Sequence, residues 1–165
     1  MGKFDWFWKA MGSTTERNNK KSKAVVADAH GLIEELSLLD DASLASAVAS
    51  TVRDGAIADK PRFLAGLSVA SQRTLGMTPF EVQNQAVLRL LEGDVIQMAT
   101  GEGKTLVGAM AATGFALQGK RVHLITVNNY LAARDAEWMR PLVEFFGLTV
   151  AAVTESMTTD ERRKA

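Results

Sequence analysis

The stretch that decides the fold is DVIQMATGEGKT, residues 94–105. Its first six residues predict a short strand, and the apolar run Lys104–Leu117 that follows predicts a helix. Further strands are predicted at RVHLITV, residues 121–127, and at LTVAAV, residues 148–153. Strands that alternate with helices are typical of βαβ units in a parallel sheet. The sequence therefore predicts an α/β fold.

Helix patterns occupy the rest of this part of the chain. They cover residues 79–91 and 130–146, and one more helix starts at Thr158 or Thr159. Gly147 is expected to end the second of these helices. Because the chain stops inside the last pattern, we expect a truncated sheet and a piece of a longer protein.

The turn Thr100–Thr105 has the residue types that a phosphate group requires. Gly101 and Gly103 allow backbone N–H groups to surround phosphate oxygens. The helix N-terminus that follows favours an anion. Lys104 would neutralise the β- and γ-phosphates of a nucleotide, and the Thr105 hydroxyl would ligate Mg²⁺. The turn therefore predicts a nucleotide-phosphate site.

Two positions in this region leave alternatives open. The general phosphate-loop pattern has a glycine where this chain has Met98, and the variant ending Thr-Gly-x-Gly-Lys-Thr is typical of helicase-like motors. The competing interpretation is a glycine-rich turn that binds nothing, and the Gly-Lys-Thr sequence between a strand and a helix argues against it. Glu102 either is a solvated side chain or helps to position the Mg²⁺ shell.

A second candidate site precedes the loop, in MTPFEVQ at residues 77–83. The Gln83 amide has both donor and acceptor atoms, so it can read an adenine edge that also offers both. Met77 and Phe80 offer apolar surface for the ring. The competing interpretation of Gln83 is a surface residue on an amphipathic helix.

The region before residue 77 carries helix patterns only. Three helices are predicted, at residues 24–39, from Asp41 or Ser43 to about Gly55, and from Lys60 to about Leu75. Asp59-Lys60-Pro61 is a typical helix start and Gly76 a typical stop. The polar and basic stretch 12–23 predicts a flexible linker.

Composition excludes several classes of protein. The chain has 165 residues, a formal net charge of zero and no cysteine, so nothing indicates a nucleic-acid partner, a disulfide scaffold or a thiolate metal site. No apolar run approaches the roughly 18 residues of a membrane-spanning helix, and no signal-peptide pattern is present. His30 and His123 lack a second ligand at metal spacing, which favours core or surface histidines.

Several blocks together closely resemble the SecA family of preprotein translocase motors. The blocks are GMTPFEVQ at 76–83, MATGEGKT at 98–105, VHLITVNNYLAARD at 122–135, RPL at 140–142 and FGLTV at 146–150. The resemblance extends over residues 60–165 and more weakly over the helices from residue 24. The family has Asn-Asp-Tyr where this chain has Asn128-Asn129-Tyr130, and an asparagine caps a helix about as well as an aspartate.

This resemblance implies a RecA-like P-loop NTPase fold of helicase superfamily 2, with a parallel sheet. Three parts follow from it: a flexible basic and aromatic segment at 1–23, a helical part at 24–76 and an incomplete first nucleotide-binding domain at 77–165. It also assigns roles, with ATP and Mg²⁺ as cofactors. Gln83 would read adenine, Gly101, Glu102, Gly103, Lys104 and Thr105 would hold the phosphates and Mg²⁺, and Arg134 would lie near the phosphates.

The resemblance further implies a motor that pushes preproteins through a SecYEG-type channel. Such a motor is cytoplasmic, associates peripherally with the inner face of the bacterial cell membrane, and can form a homodimer. The long linker and the non-consensus positions indicate an accessory paralogue within the family. The family's Walker B carboxylates and arginine finger lie further along, so we expect these residues to bind ATP without hydrolysing it.

Two other functions compete with this interpretation. A nucleic-acid helicase of the same superfamily is disfavoured by the block at 126–135, since DEAD-box helicases have a Pro-Thr-Arg-Glu-Leu type motif there, and by the lack of a basic stripe with interleaved aromatics. A non-catalytic ATP-binding or membrane-tethering module is the other alternative.

The first eleven residues predict a membrane contact. Four apolar side chains share one helix face, with lysines beside it: Phe4, Phe7, Trp8 and Met11, flanked by Lys3 and Lys9. This composition is typical of an interfacial helix on an anionic membrane surface. The competing interpretation is an aromatic cluster that docks on the domain or stays disordered.

Overall fold

The computed structural model describes residues 14–164, with side chains from residue 18 onward. Seven α-helices and one β-hairpin occur in this range. They are α1 (Thr14–Ser37), α2 (Asp41–Ala49), β1 (Val52–Arg53), β2 (Ala56–Ile57), α3 (Lys60–Leu75), α4 (Glu81–Leu91), α5 (Lys104–Leu117), α6 (Asn129–Phe145) and α7 (Thr159–Lys164). The aromatic helix expected at residues 1–11 lies outside the described residues.

Helix α1 begins ten residues earlier than predicted. The linker expected at 12–23 is therefore wrong from Thr14 onward, because this stretch is helical. Its lysines are good helix formers, and Ser22 is buried with its hydroxyl donating to the Asn18 carbonyl at 3.0 Å. The lysines of this stretch, Lys20, Lys21 and Lys23, are thus exposed side chains on a packed helix.

Helix α3 has the predicted boundaries. The Asp59 carboxylate accepts a hydrogen bond from the Arg62 N–H at 3.0 Å, which caps the first turn. Gly76 adopts φ +68° and ends the helix in the left-handed conformation that glycine allows. Both predicted signals, Asp59-Lys60-Pro61 and Gly76, are confirmed.

The β-hairpin replaces the end of the predicted second helix. Helix α2 is capped by Asp40 and stops at Ala49, well before Gly55. Asp54 and Gly55 then form the turn between β1 and β2, with φ of 52° and 72°. Asp-Gly is a strong hairpin signal because both turn residues need positive φ, so the sequence did carry this feature.

The predicted parallel sheet is not confirmed. Within residues 14–164 the only hydrogen-bonded strands are β1 and β2, and segments 94–99, 121–127 and 148–153 form no sheet. A helix satisfies its backbone groups within its own segment, whereas a strand needs a correctly placed neighbour. Val95 and Ile125, expected in buried strands, are 99% and 91% exposed.

The hydrophobic core lies between helices that pack together, with α3 in contact with several of them. This helix contacts α1, α2 and α6, while α5 packs between α4 and α6. Fully buried side chains come from both sides of residue 76, and the largest are Phe63, Leu36, Leu44, Leu64, Leu67, Met110 and Leu142. The helical part and the nucleotide-motif part therefore share one hydrophobic core.

Arg73 joins α3 to the turn between α1 and α2. Its guanidinium donates to the Ser37 and Leu39 carbonyls at 2.9 and 2.7 Å and to the Asp41 carboxylate at 2.7 Å. The last carbonyls of a helix lack partners within the helix, so Arg73 supplies donors that the end of α1 needs.

Within the described residues, no helix is long and apolar enough to cross a bilayer.

Candidate nucleotide-binding site

The candidate phosphate loop, Thr100–Thr105, runs into the start of helix α5. Gly101 and Gly103 have φ of 87° and 75°, and Gly103 caps the helix that starts at Lys104. These left-handed conformations favour glycine. They bring residues 101–103 against the start of α5, where unpaired N–H groups and the helix dipole attract an anion.

Two charged side chains of the loop converge on the backbone of one residue, Ala99. The Glu102 carboxylate accepts a hydrogen bond from the Ala99 N–H at 2.6 Å, and the Lys104 ammonium donates to the Ala99 carbonyl at 2.7 Å. Lys104 therefore lies across the loop, where a phosphate oxygen could replace the carbonyl as its acceptor. Sequence reasoning did not identify Ala99, whose contribution is made entirely by its backbone.

Gln83 connects residues 77–80, the candidate base-binding segment, to this loop. Its side-chain oxygen accepts a hydrogen bond from the Phe80 N–H at 2.9 Å, and its Nε2 donates to the Glu102 carbonyl at 2.9 Å. The residue is only 6% exposed. The interpretation of Gln83 as a solvated surface residue is thus wrong, and the structure brings together the two motifs that the sequence analysis had identified separately.

Gly103 and Gln83 fit closely. A Cβ atom at Gly103 would lie 2.3 Å from Gln83 Nε2, a distance that real Cβ contacts do not show. At Gly101 a Cβ atom would have no heavy atom within 4 Å. Gly103 is therefore required both for its backbone angle and for the space that Gln83 occupies, whereas Gly101 is required for its backbone angle alone.

The apolar residues of the base-binding segment face outward. Phe80 is 73% exposed and Met77 is 44% exposed, so both side chains are available to contact a ligand. Both lie just before α4, whose third residue is Gln83. Exposed aromatic and thioether groups beside a buried amide are a suitable surface for a flat base with polar edges.

The two remaining predicted site residues have few contacts. Thr105 is exposed in the first turn of α5, and its hydroxyl makes no hydrogen bond within the part of the chain that the structure describes. Arg134, in α6, donates to the Asp135 carboxylate at 2.6 Å. Among the described residues, no hydrogen bond joins Arg134 to residues 101–105, so its predicted place near the phosphates stays a prediction.

A small apolar cavity of about 120 Å³ borders the loop at Lys104. Its other lining residues come from α4, segment 94–99 and α5, and they are Leu90, Ile96, Met98, Val107 and Gly108. Because these groups offer few polar partners, the cavity does not suit a phosphate group.

The two histidines of the chain, His30 and His123, are both exposed.

Comparison with known proteins agrees with these motifs. Residues 7–165 match the family model described as "SecA DEAD-like domain". The chain is 62% identical over its whole length to a protein of Corynebacterium efficiens named "Protein translocase subunit SecA 2", and 57% identical over its whole length to its namesake from Corynebacterium diphtheriae. A third protein of that name, from Mycolicibacterium smegmatis, is 50% identical over 96% of the chain.

The chain spans about a fifth of the length of these curated relatives, with 22%, 22% and 20% covered in the three proteins. The match to the family model nevertheless includes nearly all of the chain, and the identity to relatives extends over both the helical part and the nucleotide motifs. The chain belongs to the SecA family and carries its DEAD-like domain sequence.

Proposed function

We propose that this chain forms the adenine-nucleotide-binding part of a motor that drives preproteins through a SecYEG-type channel. The observation that carries the proposal is the joining of two motifs, since Gln83 links the base-binding segment to the loop that holds Lys104. Membership of the SecA family and similarity to proteins named translocase subunits support the translocation role over that of a nucleic-acid helicase.

The hydrogen-bonding capacity of Gln83 is compatible with reading adenine. A glutamine amide has two donor hydrogens and two acceptor lone pairs, and Gln83 uses one of each on Glu102 and Phe80. One hydrogen and one lone pair are left for the donor and acceptor on the adenine edge. Met77 and Phe80 would cover the face of the ring.

The phosphate end of the site would be held by the loop. Lys104 would exchange the Ala99 carbonyl for phosphate oxygens, and the exposed Thr105 hydroxyl would be a ligand of the Mg²⁺ that accompanies ATP. Glu102 would keep the loop closed through the Ala99 N–H. Arg134 would approach the phosphates from α6.

We propose that these residues bind ATP without turning it over. Phosphoryl transfer needs a positioned water and charge stabilisation around the γ-phosphate. The loop offers Lys104 and backbone N–H groups to the phosphates, and the only carboxylate within it, that of Glu102, is hydrogen-bonded to Ala99. Phosphate release by the purified chain, compared with its Lys104→Ala form, measures this directly; turnover that depends on Lys104 would contradict it.

A peripheral place on the inner face of the bacterial cell membrane completes the proposal. Lys20, Lys21 and Lys23 are exposed near the start of α1, so they add to the positive charge of the N-terminal sequence, and such charge attracts anionic lipids. Flotation with anionic vesicles should weaken with salt and be lost on deletion of residues 1–11. Equal flotation of the deleted form would remove this part of the proposal.

The test of nucleotide binding is the substitution Lys104→Ala. Hydrogen bonds to charged groups contribute about 1.5–3 kcal/mol, so we expect ATP affinity to fall by at least about tenfold. The matched control is Lys21→Ala, which removes an exposed lysine from α1 and should leave affinity unchanged. Labelled ATP that binds Lys104→Ala as well as the wild type would refute the assignment of the site.

A further inference from the structure

Ser71 makes a hydrogen bond that leaves its own helix. It lies in α3, is fully buried, and its hydroxyl donates to the Met77 carbonyl at 2.7 Å. The two other hydroxyl residues of α3, Ser68 and Thr74, each donate to the carbonyl four residues earlier, and Ser68 also lies 3.3 Å from the side-chain oxygen of Asn84 in α4. That within-helix bond is the usual one for serine and threonine in a helix.

The acceptor of this bond belongs to the base-binding segment. Residues 77–80 connect the Gly76 helix stop to the start of α4 and have no regular secondary structure. Ser71 fixes the carbonyl at the first residue of this segment, and Gln83 fixes the N–H at the last, Phe80. The backbone is therefore held at both ends.

The side chains of the same segment are exposed. Met77 and Phe80 project from a backbone that Ser71 and Gln83 hold in place. A flat base binds more tightly to a surface whose shape is already fixed, because less ordering is needed on binding. The only one of these two anchors that lies outside the nucleotide motifs is Ser71.

We propose that Ser71 is a positioning residue for the base of the nucleotide. It acts through the Met77 carbonyl and fixes the apolar surface formed by Met77 and Phe80, so the α3 helix of the N-terminal helical part sets the affinity for the base and not for the phosphates. The inference rests on the proposed function of this site, and it adds a residue and a route of action to it.

The test compares ATP with inorganic tripolyphosphate, which lacks the base. Both are measured by competition against a fluorescent ATP analogue on the purified chain. Ser71→Ala should weaken ATP binding by about three- to tenfold, the usual range for one hydrogen bond, and leave tripolyphosphate binding unchanged. The matched control is Thr113→Val, which removes an equally buried hydroxyl whose bond stays within α5, and it should leave both affinities unchanged.

A second variant, Ser71→Cys, keeps a side chain of similar size with a weaker donor. It should give an intermediate loss of ATP affinity, and it decides the question by the same criteria if Ser71→Ala does not fold. Unchanged ATP affinity in the folded variants, or a parallel loss of tripolyphosphate affinity, would overturn the role of Ser71 alone. Failure of the wild type to bind ATP would overturn the proposed function itself, and this inference with it.

Discussion

Replacing Gly103 with alanine should destabilise the protein through a contact with Gln83. Gly103 has φ +75°, a conformation that costs a residue with a Cβ about 1–2 kcal/mol. The added Cβ would lie 2.3 Å from Gln83 Nε2, so the Gln83 side chain has to move. It then loses its hydrogen bonds to Phe80 and Glu102, which together contribute about 1–3 kcal/mol. We expect the free energy of unfolding to fall by about 2–5 kcal/mol.

Urea denaturation followed by circular dichroism measures this change, and two further variants isolate its cause. Gly101→Ala introduces backbone strain at φ +87° without a steric contact, so it should lose only about 1–2 kcal/mol. Gly103→Ala made in a Gln83→Ala background should likewise lose only the strain, since the clash is gone. If Gly103→Ala is no more harmful than Gly101→Ala, or equally harmful in both backgrounds, the reasoning is refuted.

Three other predictions concern stability. Gly66→Ala should destabilise the protein by about 1–3 kcal/mol through overpacking, because the added Cβ would lie 2.2 Å from a side-chain atom of α2. Gly31→Ala has free space around the added Cβ and should instead stabilise the protein by about 0.5–1 kcal/mol. Equal midpoints of urea denaturation for the two variants would contradict this pair of predictions. Arg73→Ala should lose about 1–3 kcal/mol in the same assay, with only partial recovery in Arg73→Lys because an ammonium lacks the guanidinium fork; full recovery would show that charge alone matters. Hydrogen bonds from Ser43 hold the pKa of Asp40 below its ordinary 3.8. The Asp40→Ala variant should therefore have a lower thermal midpoint than the wild type at pH 7, and this difference should shrink as the pH falls below 3.8, because the carboxylate becomes protonated. A difference between the two midpoints that grows in acid would refute this prediction.

The helix ends show how much of this fold is readable from local sequence. The Asp59 cap and the Gly76 stop each act within a few residues of where they lie, and the glycine-rich turn before α5 was readable because the backbone freedom of Gly101 and Gly103 is also local. The linker prediction failed at residues 14–23 because a polar, basic composition permits both a linker and a solvated helix face. Packing of α1 on the core, through residues such as Ser22, decides between them.

The parallel sheet illustrates the opposite case. Alternating strand and helix patterns predicted it, but no sheet hydrogen bonds form among segments 94–99, 121–127 and 148–153 in the part of the chain that the structure describes. Strand pairing joins residues far apart in sequence, and a strand pattern alone specifies no partner. The short hairpin, whose turn residues Asp54 and Gly55 are adjacent, is the sheet that does form.

The sequence by itself determined the family, the bounds of α3 and the glycine-rich turn before α5, because these depend on residues that are close along the chain. Only the tertiary structure decided that Gln83 and Glu102, 19 residues apart, share a hydrogen bond, and that Ser71 donates to the Met77 carbonyl. The physical reason is that a buried donor takes whichever acceptor packing places beside it, and the packing of α3, α4 and α5 around one core sets that choice.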